Sequence, residues 1–564
     1  MSRKFPPLSL VLLSTFTLCG PIQAQERQLL WGDTHLHTSW SVDAFSMGNQ
    51  LADPETAYRY AKGEPVLHPR LGTRIRIDRP LDFLVIADHA ENLRWQVNTR
   101  ESIELLSNIA GFDAAFALVR DNPGQTFMLG RSRLTPEYDA AIASPEVRGF
   151  SWALQVDAAT RHNDPGTFTA LTGWEWSSNG GGSNLHRVVF SPSDGDILKQ
   201  FIPYSNAESL DPEDLWNWLD QAAAATGAEF VAIPHNSNLS AGYMFAETRF
   251  DGSALDRELA EQRARLEPVM EITQVKGTSE THPLLSPNDE FADYEIYEKL
   301  LGGGQFQALT ADYARTALMT GLAMEAELGA NPYRFGFIGS SDSHTGFSSI
   351  AENDFYGKAV SDTLPIERLN RTRANFNAWE MSASGLAAVW AEDNTRQAIA
   401  DAFQRREVYA TSGPRILLRV TAGYDQDGDG VAPGVSMGGS LTNAPDSRAP
   451  ILSIEAAMDP IGARLERVQV IKGWLDQSGN THEQVFDAEQ STGQGAAQFQ
   501  TRWTDPEFDP AQPAFYYVRV LEVPTPRHST YDAIALGIDA AETQMPELIR
   551  ERAWSSPIWY EPSR

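Results

Sequence analysis

The sequence predicts an α/β fold, most simply a closed or nearly closed barrel of parallel strands, followed by a smaller β-rich part. Three observations lead there. Seven short apolar runs recur between residues 26 and 413, helical segments lie between them, and the texture turns to alternating β-type runs after residue 414. An open, doubly wound sheet is the alternative arrangement of the same elements.

The seven runs are the opening stretch around LLWGDTHLH, then LDFLVIADH (81–89), FTALTGWEWS (168–177), EFVAIPHN (229–236), VMEITQVKG (269–277), RFGFIGSSDSH (334–344) and EVYATSG (407–413). They are apolar nearly throughout rather than alternating. That pattern suits parallel strands covered on both faces. DPETAYRYAKG begins a helix with Asp53 as cap and Pro54 at the first helical position, and LDPEDLWNWLDQAAAATG repeats the device with Asp211 and Pro212, ending at Gly227. Residues 98–162 and 253–328 exceed what a crossover needs and are expected to carry helical insertions. No Gly-rich GxGxxG or GxxxxGKS turn follows the early strands, so a nucleotide cradle is not expected. From 414 to 564, ILLRVTAGY, ILSIEAAM, RVQVIKGWLD and AFYYVRVLEV predict a sandwich-like domain. The DQDGDG stretch at 425–430 begins like a calcium loop, but Ser436 stands where the closing Glu is expected, which favours a turn.

The N-terminus has a basic start, MSRK, an apolar run, LSLVLLSTFTL, and a small residue at Ala24. This predicts an export signal over residues 1–24 and a periplasmic or secreted protein. The only cysteine, Cys19, falls inside that segment, so the remaining chain would hold any metal through nitrogen and oxygen alone. Removal of the signal takes away Arg3 and Lys4 and no acids, leaving a formal charge of −32 from the −30 of the whole chain. Such a field repels nucleic acid and anionic membranes, so neither is an expected partner. An anionic substrate would need cations to invert the potential locally.

Ligand-type residues collect at the C-terminal ends of the predicted strands: His35 and His37, Asp88-His89, Glu175 with His186 beyond it, His235, and Asp342-Ser343-His344. In a parallel barrel those ends converge on one rim. Residues two apart on a strand face the same side, so His35 and His37 can grip one ion. A lone histidine at a strand end is usually a hydrogen-bonded structural residue. Yet six of the 11 histidines occupy such positions or the stretch just past one, at five separate strands, and that favours metal. Histidine and carboxylate without thiolate suit Zn²⁺, Mn²⁺ or Fe²⁺.

The ordered set HxH, a nearby Asp, ADH, a Glu shortly before a His, PH, then SDSH resembles the polymerase-and-histidinol-phosphatase (PHP) metallohydrolases. Within them the chain is most similar to the exported DUF3604 proteins, over residues 30 to 413 and, through GTSETHP and TSGPRI, beyond. The resemblance implies a distorted (β/α)₇ barrel holding two or three divalent ions. His35, His37, Glu175 and Asp342 would hold the first ion. Glu175 would bridge to a second on His186 and His235, and Asp43, His89 and His344 would hold the third. It also implies hydrolysis of a small phosphoester by a metal-bridged hydroxide, with Asp342, His344 and Glu175 in the catalytic set. Candidate contacts to an anionic small-molecule substrate are Lys276, Glu280 and His282 in KGTSETH, with Arg187 and Arg415. Two alternatives remain at this point. One is a lactonase or amidohydrolase-like enzyme on the same metals; the other is an exported carbohydrate-binding protein with a vestigial barrel.

Overall fold

The computed structural model describes residues 27–126, 133–300, 305–373, 377–425 and 434–562. The expected signal at 1–24, with Cys19, lies outside them, as does DQDGDG beyond Asp425.

Each of the seven apolar runs forms a strand. They are β1 (Gln28–Leu36), β2 (Phe83–Ile86), β3 (Thr169–Trp176), β5 (Val231–Pro234), β6 (Val269–Gln274), β7 (Gly336–Gly339) and β9 (Val408–Thr411). Two strands not expected from the sequence join them, β4 (Arg187–Ser191) and β8 (Leu386–Ala391). The expectation of a closed parallel barrel is not met. Instead β1 to β5, β8 and β9 belong to one mixed sheet of 13 strands, while β6 and β7 pair in a separate sheet of three. The extra strands are the physical reason. β4 runs antiparallel to both β3 and β5, and β8 runs antiparallel to both β1 and β9, which breaks the series of parallel crossovers. Parallel pairing survives between β1 and β2, β2 and β3, and β6 and β7.

The C-terminal strands do not form the separate sandwich predicted. β9 pairs antiparallel with Arg552–Ser555, which pairs with Ala514–Glu522, so the large sheet runs on into the last third of the chain. A further four-stranded antiparallel sheet contains Leu417–Gly423, Ile451–Ala457 and Gln498–Thr504.

Helices start where their caps predict. Asp53 accepts from the Thr56 N–H before Pro54–Ala61, and Asp211 accepts from the Glu213 N–H before Pro212–Thr226. The second helix ends at Gly227 with φ of 76°, a left-handed conformation that favours glycine. The insertions are helical as expected, with Pro145–His162 the longest in the first and Ala314–Leu328 in the second. Phe83, Val85, Leu171, Val188, Ile233 and Ile338 pack in one core behind the strand ends, so those ends sit on a rigid base. Among the described residues no helix is long and apolar enough to cross a membrane.

Candidate metal centre

The strand ends bring together the side chains that the sequence scatters. His35 lies in β1 and His37 just past it, and their Nε2 atoms are 3.2 Å apart. His89 follows β2, and a bridge between His89 and Glu175 holds it against β3. His186 immediately precedes β4, and its carbonyl accepts the His235 N–H beyond β5. Past β7 the chain crosses to β1, where the His37 N–H donates to the Ser343 carbonyl and the Asp342 N–H to that of His35. Asp342 has φ of 50° and Asn236, next to His235, φ of 53°. Non-glycine residues rarely adopt that left-handed region, and such strain clusters where a side chain must be aimed.

Glu175 stands at the middle. Its Oε2 lies 3.1 Å from His37 Nε2 and 3.4 Å from His35 Nε2, while its Oε1 lies 2.7 Å from His186 Nδ1 and 3.1 Å from His235 Nε2. One carboxylate thus faces a different histidine pair with each oxygen. Asp342 Oδ1 is 3.5 Å from both His35 Nε2 and His37 Nε2. Asp43 Oδ2 lies 2.7 Å from His344 Nε2 and 3.2 Å from His89 Nε2.

These separations fit a coordination shell. Two ligands 2.0–2.2 Å from an ion and subtending 90–110° lie about 3.0–3.5 Å apart. Three buried groups have donor atoms all within 4.8 Å of one another: His37-Asp43-His89-His344, His35-Glu175-His235, and His35-His37-Asp342. His37 therefore approaches the Asp43 group as well as its expected partners. His186 belongs to none of the three and reaches the centre only through Glu175, its Nε2 resting 2.8 Å from Asn179 Oδ1.

Groups behind the histidines fix which nitrogen points inward. His35 Nδ1 is 3.0 Å from Glu271, His37 Nδ1 3.0 Å from Ser41, and His89 Nδ1 2.6 Å from Ser177. His344 Nδ1 lies 2.9 Å from the Asp342 carbonyl. Each leaves Nε2 to the centre, the arrangement that orients metal-binding imidazoles.

Burial draws His186 and His235 down to about 4 and His344 to about 3, so these rings are neutral and offer lone pairs. Burial also pushes the Asp43 and Glu175 carboxyls up, but the surrounding imidazoles outweigh it and hold both well below the usual range. The reverse holds for His35: burial lowers it, but the charges of Glu271 and Asp342 raise it to about 10. Protons are drawn onto His35 and His89 because buried carboxylates demand positive charge. A divalent ion between the same donors meets that demand.

Of the candidate substrate contacts, Lys276 is in the centre, its ammonium against Asp342 Oδ2. The others are engaged elsewhere. Glu280 lies in a buried network with Arg315 and Arg519, and His282 is 3.3 Å from Glu298. Arg187 pairs with Glu267 at 2.8 Å, and Arg415 donates to the carbonyls of Arg79 and Pro80. Two residues of the centre were not singled out from the sequence. Glu271, behind His35, is the lone charge in the otherwise uncharged and wholly buried strand β6, which is the signal that could have found it. Lys358 has no such signal. A bridge between His344 and Ala359 brings its Nζ within 3.3 Å of His344 and 3.5 Å of Asp342. Burial pushes the Asp342 carboxyl up, but the ammonium groups of Lys276 and Lys358 outweigh this and keep it ionised.

The family model described as "Protein of unknown function (DUF3604)" matches residues 24–494 and 487–562. The chain belongs to the DUF3604 family. The matched residues of this DUF3604 chain include the whole cluster, with Lys276, Lys358 and Glu271. No curated protein matches it.

Proposed function

We propose that this DUF3604 protein is a metal-dependent hydrolase of the PHP type that cleaves a small phosphoester. The observation that carries the reading is Glu175, whose two oxygens face two different histidine pairs, as a carboxylate shared between two ions would. The donor set fits two or three ions of Zn²⁺, Mn²⁺ or Fe²⁺, with His35, His37 and Asp342, His235 and His186, and Asp43, His89 and His344 around them. Divalent cations supply such a site with a nucleophile at neutral pH and with stabilisation of developing negative charge.

The chain's own residues support the phosphoester over a neutral ester. Lys276 and Lys358 converge on Asp342 from separate segments, and both are nearly buried. Paired ammonium groups there would hold a substrate's anionic oxygens, in a chain otherwise strongly negative. Asp342 and His344, in contact with both the cluster and Lys358, are the groups placed to move a proton. The MSRK start and the apolar run after it support a place outside the cytoplasm.

Metal analysis and a substrate panel test this together. After reconstitution with Zn²⁺ or Mn²⁺, the wild-type chain should retain more than a stoichiometric ion and Glu175→Ala should retain fewer. Phosphomonoesters or phosphodiesters should be hydrolysed, with Lys358→Met raising KM on the order of tenfold through loss of one charge-assisted contact. Retention of less than one ion per chain would overturn the metal reading. Turnover of lactones with no phosphoester would overturn the phosphoester.

A further inference from the structure

A second cavity, of about 420 Å³, opens between the 348–354 segment, the 413–415 turn and the 459–463 loop. None of the metal-cluster side chains lines it. Its walls carry six carboxyl side chains against two guanidinium groups, and those two are already engaged. Arg79 pairs with Asp459, and Arg415 donates to main-chain carbonyls.

Three glutamates on these walls, Glu352, Glu522 and Glu551, form no salt bridge with any described residue. Glu551 is 4% exposed, and its hydrogen bonds, from Ser412 Oγ at 2.5 Å and Tyr294 OH at 3.4 Å, both fall on Oε2. Glu522 is 1% exposed; its carboxyl accepts the Ala463 N–H, while its buried Oε1 has no partner among the described residues. Glu352 accepts the His528 N–H on Oε2. Burial pushes Glu522 and Glu551 up to about 8 and Glu352 well above its ordinary value. Glu551 also raises Glu352 and Glu522 raises Glu551, against the smaller opposing effects of Arg527 and Arg552, so each carboxyl disfavours ionisation of the next. Each of the three accepts a hydrogen bond, but burying a carboxylate without a salt-bridge partner is costly unless a cation pairs with it.

We propose that this cavity binds a small organic cation, bearing an ammonium or guanidinium group, between Glu352, Glu522 and Glu551. A bare metal ion fits less well. The three glutamates form none of the groups in which carboxylate or imidazole donors come within 4.8 Å of one another. The space is instead of the size that small molecules occupy. Tyr60 and Tyr531 also line it, and Tyr531, at 38% exposure, is an aromatic side chain that a cation entering from solvent would meet. The cationic group supplies the counter-charge these carboxyls lack, and the methylene or alkyl part lies against Ile350 and Ile461. The proposal is independent of the hydrolase reading, since it uses other residues and a binding readout.

The test is titration of the full chain with 1,4-diaminobutane and with ethylguanidine, followed by calorimetry and thermal denaturation, with 1,4-butanediol and Ca²⁺ as comparison ligands. At least one of the two cations should bind saturably and raise Tm, and the diol should do neither. Glu522→Gln and Glu551→Gln should each weaken the cation on the order of thirtyfold, because one partner of a buried charge pair is lost. Metal content at the histidine cluster should be unchanged in both. If either variant fails to fold, the half-buried Glu352→Gln carries the same expectation. No saturable binding of either cation, equal affinity in the variants, or a response to Ca²⁺ or the diol matching that to the cations would overturn the proposal.

Discussion

Glu271 offers the sharpest test of how the candidate metal centre is built, because it stands behind His35 and belongs to none of the three donor groups. Its Oε2 lies 3.0 Å from His35 Nδ1 in a fully buried setting, and it orients the ring whose Nε2 serves two of the three donor groups. Outer partners of this kind change metal affinity about 10- to 100-fold, which is about 1.4–2.8 kcal/mol. The two ends of that range correspond to two substitutions. Glu271→Gln keeps an oxygen that can accept the Nδ1–H and loses only the charge, so about tenfold weaker binding is expected. Glu271→Leu leaves Nδ1 buried without an acceptor, frees the ring to turn, and should approach about a hundredfold. Competition against a chelator of known affinity, with bound Zn²⁺ or Mn²⁺ counted by plasma emission, measures both. Affinities within twofold of wild type in both variants would refute the argument that Glu271 holds His35 for metal.

Two further outcomes follow from buried charge. Burial raises the Glu522 carboxyl from 4.5 to about 8, so the folded chain holds a proton that the unfolded chain releases between those values. Stability from this group is therefore present below pH 4.5 and lost as pH rises through about 8. Glu522→Gln should flatten that fall and exceed wild type by a few kcal/mol above pH 8, roughly; an unchanged profile in urea unfolding across pH 5–9 counts against it. Arg519 sits at 0% exposure between Glu280 and Asp289, at 3.0 and 2.7 Å. Arg519→Met leaves two buried carboxylates sharing the single guanidinium of Arg315, so one negative charge loses its partner and the change should cost about 3–5 kcal/mol; a loss under about 1 kcal/mol in denaturant titration would show the pairs to be dispensable.

Much of the centre was legible because metal chemistry restricts residue type. His35 and His37 two apart, His89 after β2 and Asp342-Ser343-His344 after β7 are local patterns, visible wherever the strands later go. The overall arrangement was less legible. RVVFS is five residues behind a Gly-rich turn, and LAAVWA is half alanine; neither carries a strong strand signal, yet both reverse the sheet. Missing them made a closed parallel barrel the simplest inference. Lys358 was invisible for a different reason, since a lysine in a loop reads as surface charge until a bridge to His344 carries it inward.

By itself, then, the sequence determined the seven apolar strands, the helix starts and the kinds of donor available, because these depend on periodicity, capping and side-chain chemistry within a few residues. Only the tertiary structure decided which donors meet. His35 and Glu175 are 140 positions apart, and His344 and Asp43 are 301, so their separations are set by strand pairing and by the left-handed turn at Asp342. The same long-range packing put Glu271 behind His35, set the His186 ring against Glu175, and gathered around a second cavity three glutamates with no salt bridge among the described residues. Distances between remote residues are properties of packing and pairing, and no local pattern encodes them.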